Sequence, residues 1–320
     1  MKTVTDVQNI EIDPCSIVER MYCESSAPVV SILCLTYNHE KFIRDCLDGF
    51  LMQETVFPVE ILVHDDASTD ATREIIRDYE RRYARLFRNV LQNQNQFSLN
   101  NNPVDILTPM ARGRYIARCE GDDFWTDPHK LQIQVDFLEG HPDYVVSGHG
   151  SYSADETGLP LPGFRIKRKN QQDCEREDLI LNKRWLALRS LVYRNVISSP
   201  PPEKSMVENS DNFLLSLLGQ YGKGKFHAEI KPACYRIHSG GIWSMKSDRD
   251  KNAMRMNTFY WMFRYYHRIN EPTYAAHYFR LMTRRSAELI DTVTLVRKTL
   301  ERITGVRGLR NLLRYLRLRR

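Results

Sequence analysis

The chain has 320 residues and a net charge of +6, long enough for one large α/β domain or for one such domain with a helical appendage. Its seven cysteines are odd in number, scattered and without a Cys-x-x-Cys pair, which argues against a disulfide framework or a structural zinc and sets the expectation of a reducing, cytoplasmic setting. Met1 to Pro14 lacks an apolar stretch, so no secretory signal is expected, and no apolar run approaches the roughly 18–20 residues of a bilayer span, so a soluble or peripheral protein is expected.

Residues 29 to 37 are a near-continuous apolar, β-branched run of the kind buried on both faces of a parallel sheet. Glu40 to Gln53 then places Phe42, Ile43, Cys46, Leu47, Phe50 and Leu51 at helical spacing. A second strand at Val59 to His64 and a charged amphipathic helix at Ala71 to Arg85 complete a β-α-β-α pattern, hence a doubly wound sheet. Asn89 to Leu91 reads as a weak third strand, Gln92 to Asn102 as polar surface, Pro103 to Ala111 as a helix and Tyr115 to Cys119 as another strand. Further on, Pro128 to Glu139 is a predicted helix and Tyr144 to Ser147 a buried strand. Ser151 to Lys204 is expected to be mostly loop with an edge strand around Ala187 to Tyr193, followed by a helix over Asp211 to Tyr221 and a strand over Ile230 to Ile237.

Three polar clusters each follow a predicted strand: Thr36-Tyr37-Asn38, Asp65-Asp66 and Gly121-Asp122-Asp123. In an open α/β sheet they fall on one rim, where such folds bind ligands beyond the carboxyl ends of the strands. Adjacent carboxylates at a strand mouth are costly unless a cation or hydrogen-bond donors receive them; Mg²⁺ or Mn²⁺ carrying a phosphate would do so. Helix capping and turn chemistry remain the alternative for each cluster.

The segments Val30 to Asn38, Val63 to Asp70 and Gly113 to Asp123, in this order and spacing, resemble family 2 of the inverting glycosyltransferases over about residues 28 to 245. The resemblance implies the GT-A fold, a Rossmann-like, mostly parallel sheet flanked by helices, here with a helical C-terminal extension. It divides the chain into an N-terminal extension (1–27), a transferase domain (28–245, with a nucleotide-binding half of about 28–125 and an acceptor-binding half of about 126–245) and the extension (246–320). It also implies roles. Leu35, Tyr37 and Asn38 would lie at the nucleotide, Asp66 would accept from the base, Asp122 would sit near the ribose, and Asp123 and His238 would hold a Mn²⁺ or Mg²⁺ ion. Asp211 would be the general base, although Ser210-Asp211 departs from the family's usual pair at this place and equally suits a helix cap. The Tyr235-Arg236-Ile237-His238 strand end leads into Gly240-Gly241, which would close over the donor.

The implied activity is transfer of a sugar from a nucleotide diphosphate donor, a UDP-sugar foremost, to a glycan or lipid-linked acceptor in cell-surface polysaccharide assembly. Two other readings compete with it. A non-catalytic membrane-associated nucleotide-sugar-binding protein would keep the fold without turnover, and a sugar nucleotidyltransferase would need a Gly-rich loop after the first strand, whereas Thr36 to Lys41 has no glycine. From Arg297 to Arg320 nine Lys and Arg stand against a single Glu301, with Val306, Leu309, Leu313 and Leu316 at helical spacing. This pattern predicts a basic amphipathic helix for an anionic membrane surface, on the cytoplasmic face, and no nucleic-acid module accompanies it.

Overall fold

The computed structural model describes residues 27–165, 170–241 and 243–289. In chain order the strands and helices are β1 (Val30–Thr36), α1 (Ile43–Leu51), β2 (Val59–Asp65), α2 (Thr72–Arg82), β3 (Phe87–Leu91), α3 (Pro103–Leu107), β4 (Tyr115–Arg118), α4 (Lys130–Gly140), β5 (Tyr144–His149), β6 (Ser151–Ala154) and β7 (Pro160–Arg165). They continue with α5 (Arg176–Ile180), β8 (Val192–Arg194), α6 (Ser210–Leu218), β9 (Lys223–His227), β10 (Ala233–Arg236), α7 (Asp248–Arg268) and α8 (Pro272–Leu289). The chain separates into two compact units, one made of the residues up to Pro200 together with Asp211–Ser244, the other of Pro201–Ser210 and the residues from Met245 onward.

The first unit is built on a seven-stranded sheet in the order β3-β2-β1-β4-β8-β5-β9. Only β8 runs antiparallel to its neighbours. Burial of both faces of β1 explains why its sequence is mostly apolar. Val30, Ile32 and Cys34 enter a core with Ile43, Leu47 and Phe50 of α1 and Ile76 and Tyr79 of α2, while Leu33 packs on the opposite face with Leu107, Leu214 and Leu218. Because β1 pairs with β2 on one side and β4 on the other, with Thr36 opposite Asp65 and Leu33 opposite Arg118, the chain reverses its winding direction at β1. The loops after β1, β2 and β4 therefore share one rim.

Three expectations need correction. The strand expected at the edge near Ala187 to Tyr193 is β8, which lies inside the sheet between β4 and β5. Ser151 to Lys204, though largely loop as expected, also contains β6 and β7, which join β10 in a separate three-stranded sheet. The single strand expected over Ile230 to Ile237 is preceded by β9 in the large sheet; β10 starts only after Pro232, which cannot donate to a ladder, and Ala233 N–H donates to Gly150 O at 3.0 Å.

In the second unit α7 and α8 form a helical hairpin. Ser247 caps α7 by accepting from Asp250 N–H, and Asn270, at φ 58°, sits in the turn. Tyr266 stacks on Tyr278 at 5.7 Å between centroids, and Arg268 forks onto Glu203 at 2.7 and 2.8 Å. The aromatic run from Phe259 is thus largely packing between helices. No helix among the described residues is long and apolar enough to cross a membrane. The basic segment 297–320 and the N-terminal extension to residue 26 lie outside the described residues.

Candidate active site

All the candidate site residues belong to the first unit, and short strand-end loops position them. After β1, Asn38 adopts a left-handed conformation at φ 55°, which turns its side chain onto the loop after β2. Its Oδ1 accepts from Thr69 N–H at 2.8 Å and its own N–H donates to Ser68 Oγ at 2.8 Å. The loop after β4 is held as closely, with Gly121 N–H donating to Leu35 O at 2.9 Å. A Cβ at Gly121 would come within 2.7 Å of Thr36 Oγ1 and 2.9 Å of Ile43 Cδ1, so only glycine lets the two loops approach this far.

The approach delivers Asp122 to two imidazoles. Its Oδ2 lies 3.0 Å from His238 Nε2, at the end of β10, and 3.9 Å from His39 Nε2, just after β1. The three side chains hold one potential ligand atom each within 4.8 Å of one another. Burial works against the ionised Asp122, but the two histidines outweigh it and hold the carboxyl below its ordinary range. Burial also pushes the His39 imidazole down, against the pull of Asp122, which favours the neutral ring that a metal requires.

Asp123 faces the other way. Its Oδ2 meets Arg189 Nε at 2.6 Å and its Oδ1 accepts from Arg236 N–H at 3.0 Å. Burial pushes its carboxyl up to about 6 although Arg189 pulls it down. Arg236 is buried, reaching Asp45 Oδ2 at 2.6 Å and Asp122 O at 3.1 Å, with its guanidinium between the rings of Phe42 and Phe124. Arg189 lies over Tyr235 at 4.1 Å, and its carbonyl accepts from Trp125 Nε1 at 2.7 Å.

Asp211, in the first turn of α6, shares the electrostatic field of this cluster. Burial raises its carboxyl, against the opposing pull of Arg118 and Arg189. Arg118 is buried at the end of β4, with Nη2 3.6 Å from Glu120 Oε1.

At the ends of β1 and β2 lie two further candidates, and Tyr37 is 44% exposed. Asp66 is buried and engaged, its two carboxylate oxygens accepting from Gln96 N–H at 2.6 Å and Phe97 N–H at 3.1 Å. Each oxygen has one lone pair beyond these bonds. Asp65 is occupied by Arg73 at 3.3 Å and Ser68 N–H at 3.2 Å.

The structure thus joins His238 to Asp122 and Arg189 to Asp123, and places Asp211 within the field of Arg118 and Arg189. Leu35 serves through its carbonyl, and Asn38 as a latch between loops. His39 and Arg189 were missed from the sequence. His39 adjoins the Tyr37-Asn38 motif and was legible on that ground, whereas Arg189 sits in a short turn 66 positions from Asp123, a pairing that no local pattern carries.

Residues 31–190 match the family model described as glycosyl transferase family 2. An uncharacterized protein of Mycobacterium tuberculosis is 38% identical over 228 residues, 69% of this chain and 63% of that protein. The putative glycosyltransferase EpsE of Bacillus subtilis is 36% identical over 155 residues, 45% of this chain and 53% of EpsE. The putative teichuronic acid biosynthesis glycosyltransferase TuaG of the same organism is 30% identical over 138 residues, 43% of this chain and 52% of TuaG. The chain therefore matches between half and two thirds of the length of these relatives. Among solved structures, Staphylococcus aureus TarS 1–349 in complex with UDP-GlcNAc superposes with a TM-score of 0.57 at 16% identity, covering 79% of this chain and 70% of that one. The mannosyltransferase PcManGT from Pyrobaculum calidifontis, in complex with GDP-Man and Mn²⁺, gives 0.53 at 13% identity, covering 90% and 84%. The shared fold is GT-A, with a mostly parallel sheet flanked by helices and a helical C-terminal region.

Proposed function

Since the chain belongs to glycosyl transferase family 2, we propose that it moves a sugar, with inversion, from a nucleoside diphosphate donor to a hydroxyl of a glycan or lipid-linked acceptor in polysaccharide assembly. The observation that carries this reading is the grouping, at the reversal of strand order, of Asp122 and two imidazoles, with a half-buried carboxyl, Asp211, opening a helix within the field of Arg118 and Arg189. TuaG and the UDP-GlcNAc complex of TarS support a nucleotide-sugar donor and a cell-surface glycan, with a UDP-sugar as the first candidate.

Asp122 and His238 fit a divalent ion by their chemistry, a carboxylate oxygen and an imidazole nitrogen 3.0 Å apart. Both oxygens of Asp123 are already engaged, so we assign the ion to Asp122 and the anchoring of Arg189 to Asp123. When bound, Mn²⁺ or Mg²⁺ supplies neutralisation of the departing diphosphate. The chain's own groups do the rest. Tyr37 offers an exposed ring to the base, and Asp66 its free lone pairs. Asp211 takes the proton from the acceptor hydroxyl, and its raised pKa brings it nearer to the working pH of a general base. His238 Nδ1 accepts from Gly240 N–H at 3.3 Å, so its Nε2 carries the proton facing Asp122. His238 would hold an ion through Nε2 only with its ring proton on Nδ1, the atom that Gly240 N–H faces here.

The basic segment Arg297 to Arg320 supports a site of action at an anionic membrane surface on the cytoplasmic face.

Release of nucleoside diphosphate from UDP-, GDP- and dTDP-sugars with Mn²⁺ tests the activity, and Asp211→Asn tests the base. The variant is expected to bind donor as the wild type does and to lose transfer by about 10²–10⁴-fold. Undiminished turnover would remove Asp211 from the mechanism, and donor binding by the wild type without turnover on any acceptor would leave a binding protein instead.

A further inference from the structure

Building on the donor-site reading, we propose that His39 is a third protein ligand of the ion, making a two-histidine, one-carboxylate site that selects transition-metal dications over Mg²⁺. Adjacent ligands on a first-row dication lie about 3 Å apart, given metal–ligand distances near 2.0–2.2 Å. Asp122 Oδ2 and His238 Nε2 already have this spacing at 3.0 Å, and His39 Nε2 stands 3.9 Å from the same carboxylate oxygen. The rings of His39 and His238 meet edge-on, at 86° with centroids 5.8 Å apart. The rings are therefore not stacked face to face, and the three ligand atoms all lie within 4.8 Å of one another.

The support around His39 has the form expected of a ligand. Thr36 Oγ1 holds its Nδ1 at 3.1 Å, fixing the ring so that Nε2 is the atom offered to Asp122. Its main-chain N–H donates to Thr72 Oγ1 at 2.8 Å, tying the loop to the start of α2. The three candidate ligands follow three different strands, β1 and β4 of the large sheet and β10 of the small one, so the site exists only when both sheets are folded. Asp122 is braced by Arg236, whose guanidinium binds Asp122 O and Asp45.

Imidazole is a good ligand for Co²⁺ and Zn²⁺, a weaker one for Mn²⁺ and a poor one for Mg²⁺, which prefers an all-oxygen shell and gives up water reluctantly. With one nitrogen among its protein ligands a donor site is indifferent enough for Mg²⁺ to serve; with two, the balance tips to the transition metals. Open positions remain for the diphosphate oxygens of the donor.

The test uses the full chain without donor. Pulsed electron paramagnetic resonance of bound Mn²⁺ is expected to show two histidine nitrogens in the wild type, and titration calorimetry to show Co²⁺ and Mn²⁺ binding at least tenfold tighter than Mg²⁺. His39→Gln should lose one nitrogen coupling and bring Mn²⁺ affinity toward that of Mg²⁺. A single nitrogen in the wild type overturns the proposal, and because that count needs no variant it stands even if His39→Gln fails to fold. Mn²⁺-dependent binding of a UDP- or GDP-sugar alongside a single nitrogen overturns only the His39 assignment. Absence of metal binding both with and without those donors overturns the donor-site reading as well.

Discussion

At the scale of single residues, the two carboxylates of Gly121-Asp122-Asp123 do different work because their surroundings differ. Asp122 meets imidazoles, whose nitrogens can stand unprotonated and so accept a metal, while Asp123 meets a guanidinium that cannot. Arg189 and Asp123 are both largely shielded, with side chains 11% and 5% exposed, so each leaves a buried charge behind when the other is removed. Breaking such a pair from one side costs about 3–5 kcal/mol, well above the worth of a surface ion pair. Arg189→Ala is therefore expected to lower the urea-unfolding free energy by about that amount. A double variant, Arg189→Met with Asp123→Leu, should recover much of it without restoring the site. A loss under about 1 kcal/mol for the single variant would mean that water reaches Asp123 and that the pair is a surface bridge.

At the scale of elements, the site depends on loops that lock to each other before any ligand arrives. Asn38 does this in two ways, by taking a positive φ and by accepting from Thr69. Glycine keeps the backbone and loses the latch; alanine loses the latch and pays for the left-handed conformation as well, about 1 kcal/mol more. Chemical denaturation should accordingly rank wild type above Asn38→Gly and Asn38→Gly above Asn38→Ala, and the reverse order for the two variants would show that chain entropy outweighs strain here. This latch also marks how far the sequence was legible. The buried parallel strands β1, β2 and β4 and the helices α1, α2 and α4 were readable because apolar periodicity records which faces are covered. β8 was not readable as an interior strand, since three residues hydrogen-bonded between β4 and β5 owe their place to neighbours far along the chain. β6 and β7 were hidden for the same reason, as a short sheet with mixed exposure has no period long enough to recognise, and β10 was legible as a strand within Ile230 to Ile237 but not as a member of that second sheet. The site followed this division. Asp122, Asp211 and His238 stood out at strand ends and a helix start, while the partner of Asp123 came from a turn that local pattern does not mark.

At the scale of the whole molecule, charge is separated along the chain. Nine Lys and Arg against one Glu between Arg297 and Arg320 exceed the chain's total of +6, so the remaining 296 residues are slightly acidic. An acidic body gains nothing from an anionic bilayer, and any attraction must come from the terminal segment. Near an anionic surface each Lys or Arg contributes about 1 kcal/mol, decaying over a Debye length of roughly 8 Å at physiological salt. The apolar residues Val306, Leu309, Leu313 and Leu316 add a part that salt does not screen. The full chain is thus expected to co-sediment with vesicles containing phosphatidylserine or phosphatidylglycerol and to remain in solution with phosphatidylcholine alone. Raising salt from 0.1 to 0.5 M should weaken the association without abolishing it, and a chain ending at residue 296 should not bind either vesicle while keeping its affinity for a nucleotide-sugar donor. Equal binding of full-length and shortened chains would move the membrane contact off the basic segment, and loss of donor binding on shortening would give that segment a structural role instead.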